Sequence, residues 1–208
     1  FDQKYGGYNR APKFMMPNNL EFLLRYAVQN EDDELMEYVT LTLNRIAYGG
    51  VYDQIGGGFA RYSTDTKWHV PHFEKMLYDN AQLVSLYSHA FMVTKNPMYQ
   101  QVVEETLDFI SREMTNEDGA FYSSLDADSE TEDGKLEEGT FYVYTIEELK
   151  NVLKDDFDLF SDYYNVNSFG KWEHGYYVFI RNKSDEEFIH EHSISLEDIY
   201  KNKETWKT

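Results

Sequence analysis

The chain has 208 residues, with 19 basic and 38 acidic side chains, a formal net charge of −19 and no cysteine. Its 41% hydrophobic and 17% aromatic content is too apolar for a disordered chain and sufficient for the core of one domain. The charge argues against nucleic acid and anionic membranes as partners, and the missing cysteines exclude disulfides and thiol chemistry within the chain.

Residues 1–17 read as an irregular arm, because Pro12 and Pro17 oppose regular structure. A first helix is predicted over 18–29, with Leu20, Leu23, Leu24, Ala27 and Val28 on one stripe, and a second over 32–48, lined by Leu35, Val39, Leu43 and Ile46. The next stretch, 49–60, holds Gly49-Gly50 and Gly56-Gly57-Gly58. The triple glycine lacks the spacing of a phosphate-binding loop. It reads either as a tight hairpin turn or as a loop that a ligand approaches closely.

A third helix is predicted from His72, after Pro71, to about residue 94, and a fourth from the break at Pro97 to about residue 114. His72, Lys75 and Asp79 then fall at i, i+3 and i+7 on one stripe. A histidine at a helix start favours the neutral imidazole, which suits a general base. Two long helices joined by a short break, twice over, make two αα-hairpins. A third hairpin is expected from 145–153 and 157–164. Short extended segments are expected after Gly50, Gly119, Gly139 and Gly175, each followed by aromatic residues. Residues 182–208 read as a polar tail with at most one helix, near 195–203.

Leu-Asp-Ala-Asp-Ser-Glu at 125–130 alternates its acids. In an extended strand Asp126 and Asp128 would point to one side, a pairing that serves glycoside hydrolysis. A calcium loop would need glycine where Thr131 stands, and no helical His-Glu-x-x-His pattern occurs, so no metal is expected. No cofactor is expected either. The bland alternative for the acidic stretch is a solvated loop.

Four blocks together resemble a known family: Ala11-Pro12-Lys13-Phe14; residues 49–83, with Tyr-Asp-Gln-Ile-Gly-Gly-Gly-Phe-Ala-Arg-Tyr-Ser and Val-Pro-His-Phe-Glu-Lys-Met-Leu-Tyr-Asp-Asn-Ala-Gln-Leu; residues 121–130; and Glu138-Gly139-Thr140-Phe141-Tyr142. They are similar to the region that follows the thioredoxin-like domain in thioredoxin-domain-containing proteins related to the spermatogenesis-associated protein family. The resemblance implies a mainly α fold: a partial (α/α)6 toroid of the six-hairpin glycosidase type, built of helical hairpins with short β-hairpin insertions and similar to N-acylglucosamine 2-epimerases. It also implies that residues 1–208 are a partial copy: the family's thioredoxin-like domain would precede Phe1, and its later hairpins are not recognisable before Thr208. Gly170-Lys171-Trp172-Glu173 only approximates the family's glycine-asparagine-tryptophan-glutamate element, and Tyr144 stands where tryptophan is commoner.

The functional expectation is a carbohydrate-processing domain, epimerase-like or glycosidase-like. The catalytic candidates are His72, Glu74, Asp126 and Asp128, and the substrate-binding candidates are Asp53, Arg61, Tyr62, Trp68, Tyr78 and Asn80. The alternative is a non-catalytic module that binds glycans or proteins for the upstream domain. A half-toroid is expected to expose helix faces and so to self-associate. No membrane span or leader is apparent, and the expected location is cytoplasmic.

Overall fold

The computed structural model describes residues 1–131 and 133–207. Helices α1 (Pro17–Asn30) and α2 (Asp33–Tyr48) form the first hairpin, and α3 (Leu77–Thr94) and α4 (Pro97–Glu113) the second. Local chemistry sets their starts. Pro17 and Pro97 occupy first-turn positions where no N–H is needed, and Asp32 and Asn96 accept hydrogen bonds from Leu35 N and Met98 N. The core between the hairpins contains Leu24, Val39, Leu43, Ile46, Phe59, Leu83, Leu86, Tyr87 and Tyr99. The Tyr87 and Tyr99 hydroxyls reach Leu43 O and Asn44 Oδ1, so each buried ring has its polar end satisfied.

The third helix differs from expectation. Residues 72–76 are extended, and the helix begins at Leu77. Strand β1 (Tyr62–Ser63) pairs antiparallel with β2 (Pro71–His72), and β3 (Lys75–Met76) pairs with β4 (Ser124–Leu125). Arg61 N also donates to Glu74 O. Backbone groups that a helix would have used are thus spent on neighbouring strands, and the stripe of His72, Lys75 and Asp79 does not exist.

Strands β5 (Asp128–Glu130) and β6 (Leu136–Glu138) make a third ribbon, with Asp128 opposite Glu138. Strand β7 (Tyr144–Thr145) pairs with β8 (Tyr176–Tyr177), the extended segment expected after Gly175. The segments after Gly50 and Gly119 supply single bridges, Tyr52 to Phe59 and Thr115 to Phe121. Thr140–Tyr142 is one turn of 3-10 helix instead of a strand.

The triple glycine is a hairpin turn. Asp53 N donates to Gly58 O and Gly57 N to Asp53 O, closing the loop between Tyr52 and Phe59. Gly57 and Gly58 have φ of 76° and 79°, and a Cβ on Gly58 would lie 2.4 Å from the Phe109 ring. Glycine is required there for backbone angle and for contact with α4.

A second core is built by α5 (Ile146–Leu153), α6 (Phe157–Tyr163), α7 (Asp185–His192) and α8 (Leu196–Trp206), around Phe160, Tyr164, Phe179, Phe188, Ile199 and Trp206. The expected third hairpin is therefore present, whereas the tail is two helices instead of at most one. Ser184 with Glu187, and Ser195 with Asp198, form reciprocal capping boxes that start α7 and α8. Among the described residues no helix is long and apolar enough to cross a membrane.

Candidate active site

The hairpin of β1 and β2 is stapled at its loop. The Asp65 carboxylate accepts from Lys67 N, His69 N and Val70 N, which fixes residues 64–70. The same loop drives Trp68 into the core. Trp68 has no exposed surface, and its Nε1 donates to Tyr5 O at 2.8 Å. Asn80 is equally buried: Oδ1 accepts from Phe59 N at 2.7 Å and Nδ2 donates to Phe59 O and Met76 O. Trp68 and Asn80, expected to bind substrate, are instead internal braces withdrawn from any ligand.

In the extended segment 71–75 side chains alternate between two sides. Pro71, Phe73 and Lys75 are buried, whereas His72 and Glu74 remain partly exposed. On the His72 side, Nδ1 lies 2.7 Å from Glu138 Oε1. A carboxylate only accepts, so Nδ1 carries the proton, and whenever the ring is neutral Nε2 holds the free lone pair. Nε2 is 3.9 Å from Glu74 Oε2, and Arg61 Nη1 holds that same oxygen at 3.0 Å. The Tyr62 ring stacks on the imidazole at 5.0 Å, and Phe14 packs on Tyr62 at 4.8 Å.

Asp128 joins this group indirectly. It faces Glu138 across the ladder, and such partners share a face of the ribbon. The Asp126 carboxylate turns back to accept from Asp128 N at 3.1 Å, and both acids are exposed. Tyr78 is exposed at the first turn of α3. Asp53 lies on the other side of the strand, where its Oδ2 is 2.8 Å from Lys75 Nζ and its Oδ1 accepts from Ile55 N and Gly56 N. His72, Glu74, Arg61 and Tyr62 are thus brought together, with Asp128 beyond Glu138, while Asp53, Trp68 and Asn80 are not part of that surface.

Two residues of this surface were not singled out as site candidates by sequence. Glu138 is the histidine's partner. Asp79 is half-buried in the first turn of α3, and its Oδ2 is buried without a hydrogen-bond partner. Burial raises its carboxyl from the ordinary 3.8 to about 6; Arg61 opposes the shift and Glu74 adds to it. The helix N-terminus should stabilise the anion, so desolvation is the stronger effect here.

Because the folded carboxyl holds its proton more tightly than the unfolded one, Asp79 costs stability as pH rises from about 4 through 6. We predict that Asp79→Asn stabilises the protein by about 1–2 kcal/mol at pH 8, after allowance for solvent screening, and by almost nothing at pH 3.5. Urea titration at the two pH values reads this directly. Equal effects at both would show that the carboxylate is not strained.

No protein-family model matches the chain. It is 43% identical over 160 residues to human spermatogenesis-associated protein 20 and 42% identical to the mouse protein, covering 74% of this chain and 20% of each relative. The chain is homologous there to spermatogenesis-associated protein 20. An uncharacterized Caenorhabditis elegans protein is 35% identical over 229 residues, covering 97% of this chain and 31% of that protein. The chain thus spans about a fifth of the length of the mammalian relatives. Among solved structures, cellobiose 2-epimerase from Bacillus thermoamylovorans superposes with a TM-score of 0.53 at 15% identity, over 78% of this chain and 50% of that one. At that identity the likeness is one of fold: a mainly α architecture of helical hairpins, matching half of an epimerase.

Proposed function

We propose that this chain supplies one wall of a carbohydrate-processing site of the sugar-epimerase kind, with His72 as the proton-transferring base. The observation that carries the reading is the Glu138–His72 pair. It fixes the imidazole with Nε2 free, beside a stacked tyrosine and an arginine-held carboxylate. The epimerase-like fold makes a sugar the natural substrate class, although fold alone assigns no chemistry.

In this reading Nε2 takes the proton from the carbon next to the carbonyl of an open-chain sugar. The electron pair moves into an enolate, and a proton returned to the opposite face inverts that carbon. Glu138 stabilises the imidazolium that forms. Asp79, whose carboxyl burial raises to about 6, is an acid able to carry the second proton. Tyr62 and Phe14 offer ring faces to the sugar. With Glu74, Asp79, Asp128 and Glu138 around one Arg and one His, the site favours neutral sugars over phosphorylated ones. Hydrolysis by Asp126 and Asp128 has less support, because both acids are exposed and the Asp126 carboxylate turns back onto Asp128 N instead of facing a shared cleft.

Binding is tested by thermal shift with neutral mono- and disaccharides. We expect a saturable rise in midpoint that is reduced in Tyr62→Ala. If no sugar stabilises the protein, or if Tyr62→Ala responds as wild type, the His72 site is not the sugar site. A binding-only module would show the shift with no turnover.

The partners are proposals of the same standing: the sugar, an upstream thioredoxin-like domain, and further helices over the outer face of α1 and α3. Phe22 of α1 and Met92 of α3 are each 65% exposed, which supports a covering partner. Sedimentation velocity should therefore reveal concentration-dependent association. A monomer at every concentration would contradict an unpartnered face.

A further inference from the structure

On the opposite side of strand β3 from His72 lies a cavity of about 410 Å³, between the triple-glycine turn, the C-terminal turn of α4 and residues 141–144. That volume falls in the range of small-molecule sites. Its wall includes Lys75, a charged side chain with only 3% of its surface exposed. Lys75 Nζ donates to Asp53 Oδ2 at 2.8 Å and Gly57 O at 3.0 Å, and lies over the Phe109 and Tyr142 rings at 4.4 and 4.8 Å. Burying an ion pair is costly, and a hydrophobic pair of similar volume would generally serve stability as well. This pair lies beside an open cavity and makes that cavity a candidate site.

The lining defines the ligand. Lys75 is neutralised by Asp53, Arg112 by Glu113 at 2.8 Å, and Lys207 by Glu105 at 3.0 Å. With its cations so paired, the cavity has no surplus positive charge for an anion. Its ring surface comes from Tyr142, from Tyr144 stacked at 5.4 Å on Phe179, and from Phe141, which is 67% exposed at the rim. Flat apolar faces beside charge-balanced donors and acceptors complement a molecule with apolar faces and hydroxyl edges. We propose that this cavity binds the ring of a neutral sugar, as a site separate from the His72 surface. The sugar class follows from the lining and does not rest on proton transfer at His72.

Phe141→Ala removes an exposed ring at no cost to the core, so it tests the site without unfolding. The probes are glucose, mannose and cellobiose, titrated by NMR into wild type, Phe141→Ala and Tyr62→Ala, with glucose 6-phosphate as the charged control. We expect at least one neutral probe to move the Tyr142 and Tyr144 signals, at least tenfold weaker binding in Phe141→Ala, and unchanged binding at these signals in Tyr62→Ala. The proposal is overturned if those signals stay still with all three sugars, if Phe141→Ala binds as wild type, or if glucose 6-phosphate binds as tightly as glucose. Failure of the His72 reading would appear separately, as absent turnover or unmoved Tyr62 and His72 signals, with binding at the Tyr142 and Tyr144 signals intact.

Discussion

Trp68→Ala is expected to destabilise the protein by about 3–5 kcal/mol, the usual cost of emptying a tryptophan site in a core. Trp68 is fully buried at φ 67°, and its Nε1 satisfies Tyr5 O. A Cβ on Gly7 would come within 2.8 Å of its ring, so arm and indole are already in close contact. Lys13, itself buried and paired with Asp2, sits 4.9 Å from the ring. Truncation therefore opens a cavity and removes the indole's bond to the arm, which is left held to α2 through Gly7 with Thr42 and Tyr38. For a chain of this size the thermal midpoint should fall by on the order of 10 °C. Hydrogen exchange should accelerate first in residues 5–13. A loss below about 1 kcal/mol would show that the arm is held by other contacts.

The second large effect concerns chemistry. His72→Gln should lower proton exchange on a sugar substrate by about 10²–10⁴-fold, the range for removing a general base. Glu138→Gln keeps the shape of its partner but no longer requires the proton on Nδ1, and about 10–100-fold is expected there. Both side chains are partly exposed, so neither change should cost much stability. That separation of activity from stability distinguishes a catalytic histidine from a brace such as Trp68.

The helical hairpins were legible because their apolar residues recur with helical spacing and their breaks fall at Asn96-Pro97 and Glu31-Asp32. The start of α3 was not. Two periods compete across Pro71-His72-Phe73-Glu74-Lys75: a helical one through His72, Lys75 and Asp79, and an alternating one with Pro71, Phe73 and Lys75 buried. Capping residues do not decide between them, since α3 itself starts after Met76 with no side-chain cap. The deciding contacts are the strand partners Tyr62–Ser63 and Ser124–Leu125, which local sequence does not reveal.

The tail was misread for the opposite reason. Its polarity concealed the capping boxes at Ser184 and Ser195, which were readable as spacing, and the scattered Phe188, Ile199 and Trp206, which bury only when α7 and α8 meet α6. Trp68 and Asn80 read as site residues because they lie inside the dense polar and aromatic block of residues 49–83. Their burial depends on contacts with Tyr5 and Phe59, far away in sequence. Asp79 gave no local sign of its raised carboxyl, since desolvation arises from packing.

Incubating the protein with a neutral aldose in D2O, and following the C2 proton signal by NMR, probes the assignment of His72 without presuming the final product. Wash-out of that signal is predicted for wild type and for Asp126→Asn, whereas in His72→Gln the signal should persist at unchanged thermal stability. Wash-out at the wild-type rate in His72→Gln would contradict the account.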